Sequence, residues 1–176
     1  MKKALFLDRD GIINIDYGYV HHKDQFKFTE DIFTFLKLFQ KKDYLFFIVT
    51  NQSGIGRGYY SEIDFQKLTI WMNEQFQNKS IHISKVSHCP HTPDAQCQCR
   101  KPHIGMIEDI IEHYDINLNE SWMIGDKQSD IDFAQNAKIK HTIAIGKRKI
   151  EKAEYIFTSI TECTHFLEEN PDIIKV

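Results

Sequence analysis

The chain of 176 residues lacks several features that mark whole classes of protein. Its hydrophobic runs, such as residues 44–49, fall far short of the roughly 18 residues that a transmembrane helix needs. It has no excess of positive charge, because 22 lysines and arginines face 25 aspartates and glutamates, for a formal charge of −3. Nucleic-acid-binding domains usually carry a basic excess or stripe. We therefore expect a protein that binds neither a membrane nor nucleic acid.

Targeting signals and a disulfide framework are also missing. The apolar run at residues 4–7 is cut by an acidic and basic cluster at 8–10, too early for a secretory signal peptide. Four cysteines in a chain without such a signal do not indicate the disulfide framework of a small secreted domain. We expect a cytoplasmic protein with reduced thiols.

No internal repeat, low-complexity tract or linker divides the chain. Short apolar runs alternate with amphipathic stretches, which is typical of parallel strands joined by helices. The predicted strands are residues 4–7, 45–49, 85–88, 122–125, 142–145 and 155–157. The predicted helices are one after a capping pattern at Ser61 and Asp64, one over 106–114, and one capped by Ser129 and Asp132 that ends near 138. We expect one α/β domain over residues 1–176.

Acidic residues cluster after two of the predicted strands. Asp8 and Asp10 follow the strand at 4–7 with a spacing of two, so their side chains share one side while the chain stays extended. Asp126 follows the strand at 122–125, and functional loops lie at the carboxyl ends of parallel strands. Carboxylates this close repel each other unless a cation or a shared proton intervenes, and Mg²⁺ prefers oxygen ligands. We expect a magnesium site, with simple helix capping or solvent exposure of the acids as the alternative.

A hydroxyl and an ammonium group accompany these acids. Thr50 follows the second predicted strand, and the glycine-rich turn beyond it offers backbone N–H groups that suit phosphate oxygens. Lys101, which precedes a predicted helix, is a point charge that can balance a transferring phosphoryl group. The alternatives are a turn that needs Gly54, Gly56 and Gly58 only for positive φ, and a solvated lysine. The neighbouring acids make us favour a phosphate site.

Three cysteines and a histidine form a second cluster. Cys89, His91, Cys97 and Cys99 supply three thiolates and one imidazole within a predicted loop at about 88–100. This set suits a tetrahedral Zn²⁺ with no open position, and hence a structural site. The spacing differs from the common zinc-finger pattern, and unbound, reduced cysteines are the alternative.

Four blocks of sequence carry a family resemblance. They are FLDRDG at 6–11, VTNQSG at 49–54, CPH…CQCRKP at 89–102 and MIGDKQSD at 123–130. In this order they resemble the haloacid dehalogenase (HAD) superfamily. Within it, the CPH…CxCRKP block is specific to a branch that holds heptose bisphosphate phosphatases and histidinol-phosphate phosphatases. The resemblance implies a three-layer Rossmann-like fold without a large cap domain and with a zinc-binding loop.

The resemblance also assigns catalytic and magnesium-binding roles. Asp8 is then the nucleophile that forms an aspartyl-phosphate, and Asp10 is the acid and base that serves the leaving group and the hydrolytic water. Mg²⁺ is then held by the Asp8 carboxylate, the Asp10 carbonyl and Asp126, with Asp130 behind them.

The phosphoryl group is stabilised, by the same resemblance, by Thr50 and Lys101. The chain departs from the family at Ile12, because the family usually has threonine after its Asp-x-Asp-Gly motif. We expect this change to tune the rate rather than abolish the reaction.

The loop at 16–20 and the block at 53–60 resemble the heptose branch, and so does Lys127. Arg100 and Lys127 suit a sugar with a second phosphate, whereas histidinol phosphate brings an ammonium group that extra cations repel. The implied substrate-binding residues are Asp16, Tyr17, Gly18, Tyr19, Asn51, Gln52, Ser53, Arg100 and Lys127. We favour removal of the 7-phosphate of a heptose 1,7-bisphosphate for surface polysaccharide synthesis, with histidinol-phosphate phosphatase as the alternative.

Two hypotheses without turnover stay open. One is a phosphorylatable signalling module similar to a response-regulator receiver, which also uses an aspartate, a hydroxyl residue, a lysine and Mg²⁺. The other is a zinc-stabilised binding protein with a silent site, to which Ile12 is the one pointer. No motif implies a protein partner, so we expect a monomer, and we interpret the basic run at 147–149 as a solvated connection.

Overall fold

Six parallel strands form one sheet in a computed structural model that describes residues 1–174. The strands are β1 (Ala4–Leu7), β2 (Leu45–Asn51), β3 (Ile83–Cys89), β4 (Trp122–Gly125), β5 (His141–Ile145) and β6 (Tyr155–Phe157). Their spatial order is β3-β2-β1-β4-β5-β6. All six predicted strands are confirmed. Strand β2 continues to its last residue Asn51, so Thr50 lies within the strand rather than after it.

The order of the strands reverses next to β1. The chain runs outward from β1 to β2 and β3, then crosses back to β4 on the other side of β1. Leu7 of β1 is in register with Ile124 of β4, and the Asp8 N–H donates to the Ile124 carbonyl at 3.1 Å. Ligands of such sheets bind at the carboxyl ends of the strands where the order reverses. This topology therefore brings the ends of β1, β2 and β4 together.

Helices cover both faces of the sheet. They are α1 (Ile32–Gln40), α2 (Ser53–Gly56), α3 (Glu62–Asn78), α4 (Gly105–His113), α5 (Gln128–Asn136) and α6 (Ile160–Glu169). Apolar residues of α1, α3 and α6 pack on one face, and those of α4 and α5 pack on the other. The expected three-layer arrangement is confirmed. None of the helices at residues 1–174 is long and apolar enough to cross a membrane.

Strand β1 is buried on both sides, as a central parallel strand requires. Leu5 and Leu7 point into the layer of α1, α3 and α6, whereas Ala4 and Phe6 point into the layer of α4 and α5. All four residues have no exposed surface. The strand that ends at the acidic cluster is thus held from both faces.

The two predicted caps have different outcomes. Ser61 caps α3 as predicted, because its Oγ accepts from the Asp64 N–H at 3.1 Å and Asp64 accepts from the Ser61 N–H at 2.8 Å. The caps predicted for α5 are wrong. Its carboxylate cap is Asp130, which accepts from the N–H groups of Asp126 and Lys127.

Replacement of Ser61 by alanine should lower the free energy of unfolding by about 1 kcal/mol, since the first turn of α3 loses its hydroxyl cap. Ser61→Thr keeps a hydroxyl and should stay close to the parent. Urea denaturation followed by circular dichroism measures both variants. Equal stability of the alanine and threonine variants would show that the cap contributes nothing.

Candidate active site

A buried lysine lies between two aspartates at the centre of the strand ends. Lys101 Nζ is 2.9 Å from Asp8 Oδ1 and 2.7 Å from Asp130 Oδ1, and it donates to the Val49 carbonyl at 2.7 Å. The three charged residues are each at most 4% exposed. Their charges therefore interact in a medium much less polar than water.

The end of β2 fixes the backbone of Lys101. The Lys101 N–H donates to Asn51 Oδ1 at 3.0 Å, and Asn51 Nδ2 donates back to the Lys101 carbonyl at 3.3 Å. Asn51 thus uses both ends of its amide on this one residue. These two hydrogen bonds fix the backbone of Lys101, a loop residue 50 positions along the chain, beside the strand that carries Thr50.

The pKa values of Asp8 and Lys101 are both raised, for different reasons. Burial raises the pKa of Asp8 to about 7, although the positive charge of Lys101 opposes the rise. Burial alone would lower the pKa of Lys101, but the charges of Asp130 and Asp8 outweigh it and raise that pKa. The ammonium group keeps its charge, whereas the Asp8 carboxylate needs further positive charge to be fully ionised at neutral pH.

Asp10 lies in a different environment although it is two residues from Asp8. Its carboxylate accepts from Arg9 Nε at 3.2 Å and Nη2 at 3.0 Å, from Asn14 Nδ2 at 3.0 Å and from Gln52 Nε2 at 2.9 Å. Burial would raise the pKa of Asp10, but the charge of Arg9 and these hydrogen bonds hold it below its usual range. The pKa values of the two carboxyl groups in the Asp-x-Asp motif are therefore shifted in opposite directions, up for Asp8 and down for Asp10.

A third carboxylate completes the acidic centre. One carboxylate oxygen from each of Asp8, Asp126 and Asp130 lies within 4.8 Å of the others. Burial raises the pKa of Asp126, and its Oδ1 is buried without a hydrogen-bond partner among residues 1–174. An oxygen-only set with one unpartnered carboxylate oxygen fits a hard cation such as Mg²⁺. The carboxyl group of Asp10 is not part of this set.

Glycine at position 11 lets the chain pass this close to Asp126. Gly11 has φ +92°, and a Cβ there would lie 2.5 Å from Asp126 Oδ2. A side chain at position 11 would thus meet both steric and backbone strain.

Arg148 also reaches Asp126, although the run at 147–149 is exposed, as expected of a solvated connection. Its Nη1 is 2.6 Å from Asp126 Oδ2 and 3.2 Å from the Asp126 carbonyl oxygen. The sequence offers no sign of this contact, because Arg148 follows β5 in a stretch that reads as an ordinary polar turn. Because Arg148 binds Oδ2, it leaves Asp126 Oδ1 without a hydrogen bond among the described residues, with Lys127 Nζ 3.8 Å away.

A pocket of about 230 Å³ is lined by Asp8 and Asp130 of the acidic centre. It brings together eight of the nine residues predicted to bind substrate. These are Asp16, Gly18, Tyr19, Asn51, Gln52, Ser53, Arg100 and Lys127. Tyr17 is 62% exposed and lines a neighbouring cleft instead. Asp8, Asp10 and Lys101 line the pocket, whereas Thr50 is fully buried and is not among its lining residues.

Two polar residues of this pocket were missed by the sequence analysis. Tyr60 and Ser129 both line it. Tyr60 is the last residue of the block at 53–60, so the resemblance of that block to the heptose branch was an available signal. Ser129 was interpreted as a helix cap, and its place next to Asp130 was the signal that it belongs to the site.

The predicted zinc ligands converge next to the pocket. Cys89 Sγ lies 3.6 Å from Cys97 Sγ and 2.6 Å from Cys99 Sγ, and His91 Nδ1 lies 3.2 Å from Cys99 Sγ. All four ligand atoms lie within 4.8 Å of one another, a set of three sulfurs and one nitrogen that fits tetrahedral Zn²⁺. Lys101 follows Cys99 by two residues, so this cluster also fixes the chain just before Lys101.

Comparisons with known proteins agree with this geometry. Residues 98–163 match the HAD-hydrolase-like family. The chain is 43% identical over 168 residues to the D-glycero-alpha-D-manno-heptose-1,7-bisphosphate 7-phosphatase of Campylobacter jejuni, covering 95% of this chain and 96% of the relative. It is 40% identical over 179 residues to the corresponding beta-heptose enzyme of Haemophilus ducreyi, covering 94% and 98%. The chain belongs to the HAD superfamily. It is a hydrolase of phosphate esters within the branch of the heptose bisphosphate phosphatases.

Solved structures of HAD phosphatases share the fold. The D,D-heptose 1,7-bisphosphate phosphatase of B. bronchiseptica, complexed with magnesium and phosphate, superposes with a TM-score of 0.82 at 22% identity, covering 96% of this chain and 99% of that one. A HAD-like phosphatase of Mesorhizobium loti gives 0.82 at 22% identity, covering 95% and 85%. These likenesses establish the arrangement of sheet and helices.

Replacement of Lys101 by methionine should lower the free energy of unfolding by about 3 kcal/mol, because two buried carboxylates lose their common counter-charge. Denaturation is measured at neutral pH without added Mg²⁺, so that no other cation takes the place of the ammonium group. The matched control is Lys127→Met, since Lys127 is 43% exposed and lies no closer than 3.8 Å to a carboxylate. If both variants lose the same small amount, the buried ion cluster does not stabilise the fold.

Proposed function

We propose that this HAD hydrolase removes the 7-phosphate of D-glycero-D-manno-heptose 1,7-bisphosphate through an aspartyl-phosphate on Asp8. The observation that carries the proposal is a single pocket that is lined by Asp8 and Lys101 and also by the cations Arg100 and Lys127. The buried Asp8 carboxylate can attack one phosphate group of the substrate, while Arg100 and Lys127 bind its second phosphate group. The names of relatives that match this chain over nearly its whole length support that substrate.

The nucleophile is the Asp8 carboxylate, and Lys101 controls its charge and direction. The Lys101 ammonium binds Asp8 Oδ1, which leaves Oδ2 to attack phosphorus. The same ammonium then offsets the negative charge that gathers on the phosphoryl oxygens in the transition state. Lys101 acts from a fixed position, because Asn51 holds its backbone.

Magnesium is the cofactor we propose, held by Asp8, Asp126 and the Asp10 carbonyl. When bound, it supplies positive charge to the phosphoryl oxygens and to the ionised Asp8 carboxylate. Asp130 keeps Lys101 and the start of α5 in place, because its Oδ1 faces Lys101 and its Oδ2 accepts two backbone N–H groups. We therefore assign Asp130 a supporting role.

Asp10 is the acid and base of the two steps. Its four hydrogen bonds favour the carboxylate, which is the form that takes a proton from the hydrolytic water. A bound dianionic phosphate brings negative charge towards Asp10 and favours its protonated form, which is the form that protonates the leaving alkoxide. We assign the Thr50 hydroxyl as a donor to the phosphoryl group, as the family resemblance implies.

The second phosphate of the substrate lies against Arg100 and Lys127. Lys127 Nζ is 3.9 Å from Asp16 and 3.8 Å from Asp126, so no short ion pair ties it down in the described part of the chain. Burial would lower the pKa of Lys127, but Asp8, Asp126 and Asp130 together raise it. The loop at 16–19 and Ser53 then contact the sugar.

Zinc is the second metal we propose, with a structural role in the four-ligand cluster. We further propose that the protein is a single domain over 1–176, monomeric and cytoplasmic.

The product, a heptose 1-phosphate, keeps the phosphate that nucleotide activation needs. We propose that the product serves the synthesis of a surface polysaccharide.

The test is phosphate release from the two anomers of the heptose bisphosphate and from histidinol phosphate, each with Mg²⁺ and with EDTA. We expect Mg²⁺-dependent turnover of a heptose bisphosphate with a kcat/KM at least about tenfold above that for histidinol phosphate. A preference for histidinol phosphate would contradict the roles of Arg100 and Lys127. Silence on all three would contradict the proposed reaction.

Replacement of Asp8 by asparagine should abolish turnover and leave the fold intact, because the amide fills the same space but is not a nucleophile. Phosphate release and circular dichroism measure the two effects. Asp172→Asn is the matched control, since it changes an exposed carboxyl near the end of the described chain and should keep full activity. Retention of more than a few per cent of activity by the Asp8 variant would contradict the mechanism.

Replacement of Cys97 by serine should remove zinc and lower activity, because the loop that carries Arg100 and Lys101 is then no longer fixed by the metal. Zinc content by mass spectrometry, Tm and phosphate release are measured on the same samples. Cys163→Ser is the control for loss of a thiol outside the cluster, since Cys163 is buried in α6. A Cys97 variant that lacks zinc yet keeps full activity would show that the metal is dispensable.

A further inference from the structure

Tyr60 lines the pocket, but its hydroxyl faces the protein. The residue is 7% exposed, and its hydroxyl donates to Gln52 Oε1 at 2.5 Å. Burial raises the pKa of Tyr60 to about 12, so the hydroxyl keeps its proton at any working pH. Tyr60 is therefore a permanent donor to one end of the Gln52 amide.

The other end of that amide joins two catalytic residues. Gln52 Nε2 donates to Asp10 Oδ2 at 2.9 Å and to Thr50 Oγ1 at 2.9 Å. Gln52 is 3% exposed, and both of its N–H groups are used in this way. The side chain has no free donor for a sugar, although the family resemblance assigns it to substrate binding.

The ring of Tyr60 is fixed from two sides. A Cβ on Gly54 would lie 2.1 Å from Tyr60 Cε1, so only glycine lets the backbone pass under the ring. On its other side the His21 ring stacks at a centroid distance of 4.9 Å and an angle of 6°. The hydroxyl is therefore presented to Gln52 from a rigid position.

We propose that Tyr60 is a positioning residue, which fixes the Gln52 amide so that its nitrogen orients both Asp10 and Thr50. Because Thr50 Oγ1 accepts from Gln52, its own proton is left to donate to the phosphoryl group. Because Asp10 accepts from the same nitrogen, its carboxylate is held at a set distance from Thr50. The role in turnover rests on the proposed function.

The deciding variant is Tyr60→Phe, which removes the hydroxyl and keeps the ring. We expect kcat for the heptose bisphosphate to fall about three- to tenfold, the effect of losing one buried hydrogen bond. KM should stay within about twofold, because the hydroxyl touches the amide and not the substrate. A rise in KM with unchanged kcat would instead make Tyr60 a substrate contact and overturn the proposal.

Tyr114→Phe is the matched control. The Tyr114 hydroxyl also donates one hydrogen bond, to the Ser84 carbonyl at 3.0 Å, at a place remote from the pocket. It should lose a similar amount of Tm and keep the parental kcat. If both variants lower kcat alike, or if Tyr60→Phe keeps kcat within twofold, the positioning role is contradicted.

A second measurement needs no turnover. The side-chain amide of Gln52 is observed in a ¹⁵N nuclear magnetic resonance spectrum and assigned by its disappearance in Gln52→Met. We expect slow exchange of its hydrogens with solvent in the parent and in Tyr114→Phe, and exchange at least about tenfold faster in Tyr60→Phe. Equal exchange in all three would overturn the link between Tyr60 and Gln52. A parent protein inactive on heptose bisphosphate would contradict the proposed function, while this readout would still test the link.

Discussion

The accumulation of negative charge at the ends of β1 and β4 is the constraint on which the rest of the site depends. Asp8, Asp126 and Asp130 place three carboxylates within 4.8 Å of one another. Such charges are unstable in a buried site without compensation. Lys101 offsets two of them, Arg148 binds Oδ2 of the third, and Asp126 Oδ1 has no hydrogen-bond partner in the described part of the chain. The negative charge that this leaves is the charge that the proposed Mg²⁺ would offset, and with it offset a phosphate can approach.

The loop that delivers Lys101 explains why the proposed zinc lies where it does. A polar loop cannot fix a lysine by its own packing, and this loop is anchored at three points. The Cys and His cluster closes its first part, the Gln52 N–H donates to the Cys89 carbonyl at 2.8 Å, and Asn51 binds the backbone of Lys101. The end of β2 and the turn after it thus carry Thr50, fix the backbone of Lys101 and contact Cys89 of the Cys and His cluster.

Local patterns of the sequence predict the strands, whereas the three layers and most of the pocket residues are implied by the family resemblance. Apolar runs identify β1 and β4, and acids after them identify the strand ends that meet. Contacts made by ordinary polar residues across long stretches of chain have no such pattern. Arg148 reaches Asp126 from a turn 22 residues away, and Tyr60 reaches Asp10 only through Gln52. Asp130 was placed near the site by resemblance, but its double use as helix cap and partner of Lys101 is a property of the folded chain.

Asp8 is the residue that we propose takes the phosphoryl group, and the roles of Lys101, Asp10 and the metal depend on it. The most direct measurement is rapid acid quenching during turnover of heptose 1,7-bisphosphate with Mg²⁺, followed by borohydride reduction and peptide mass spectrometry. Reduction converts an aspartyl-phosphate to homoserine, and we predict homoserine at position 8 alone, and none when Mg²⁺ is left out. Homoserine at the position of Asp10, Asp126 or Asp130, or its absence from a protein that is turning over, would contradict the account.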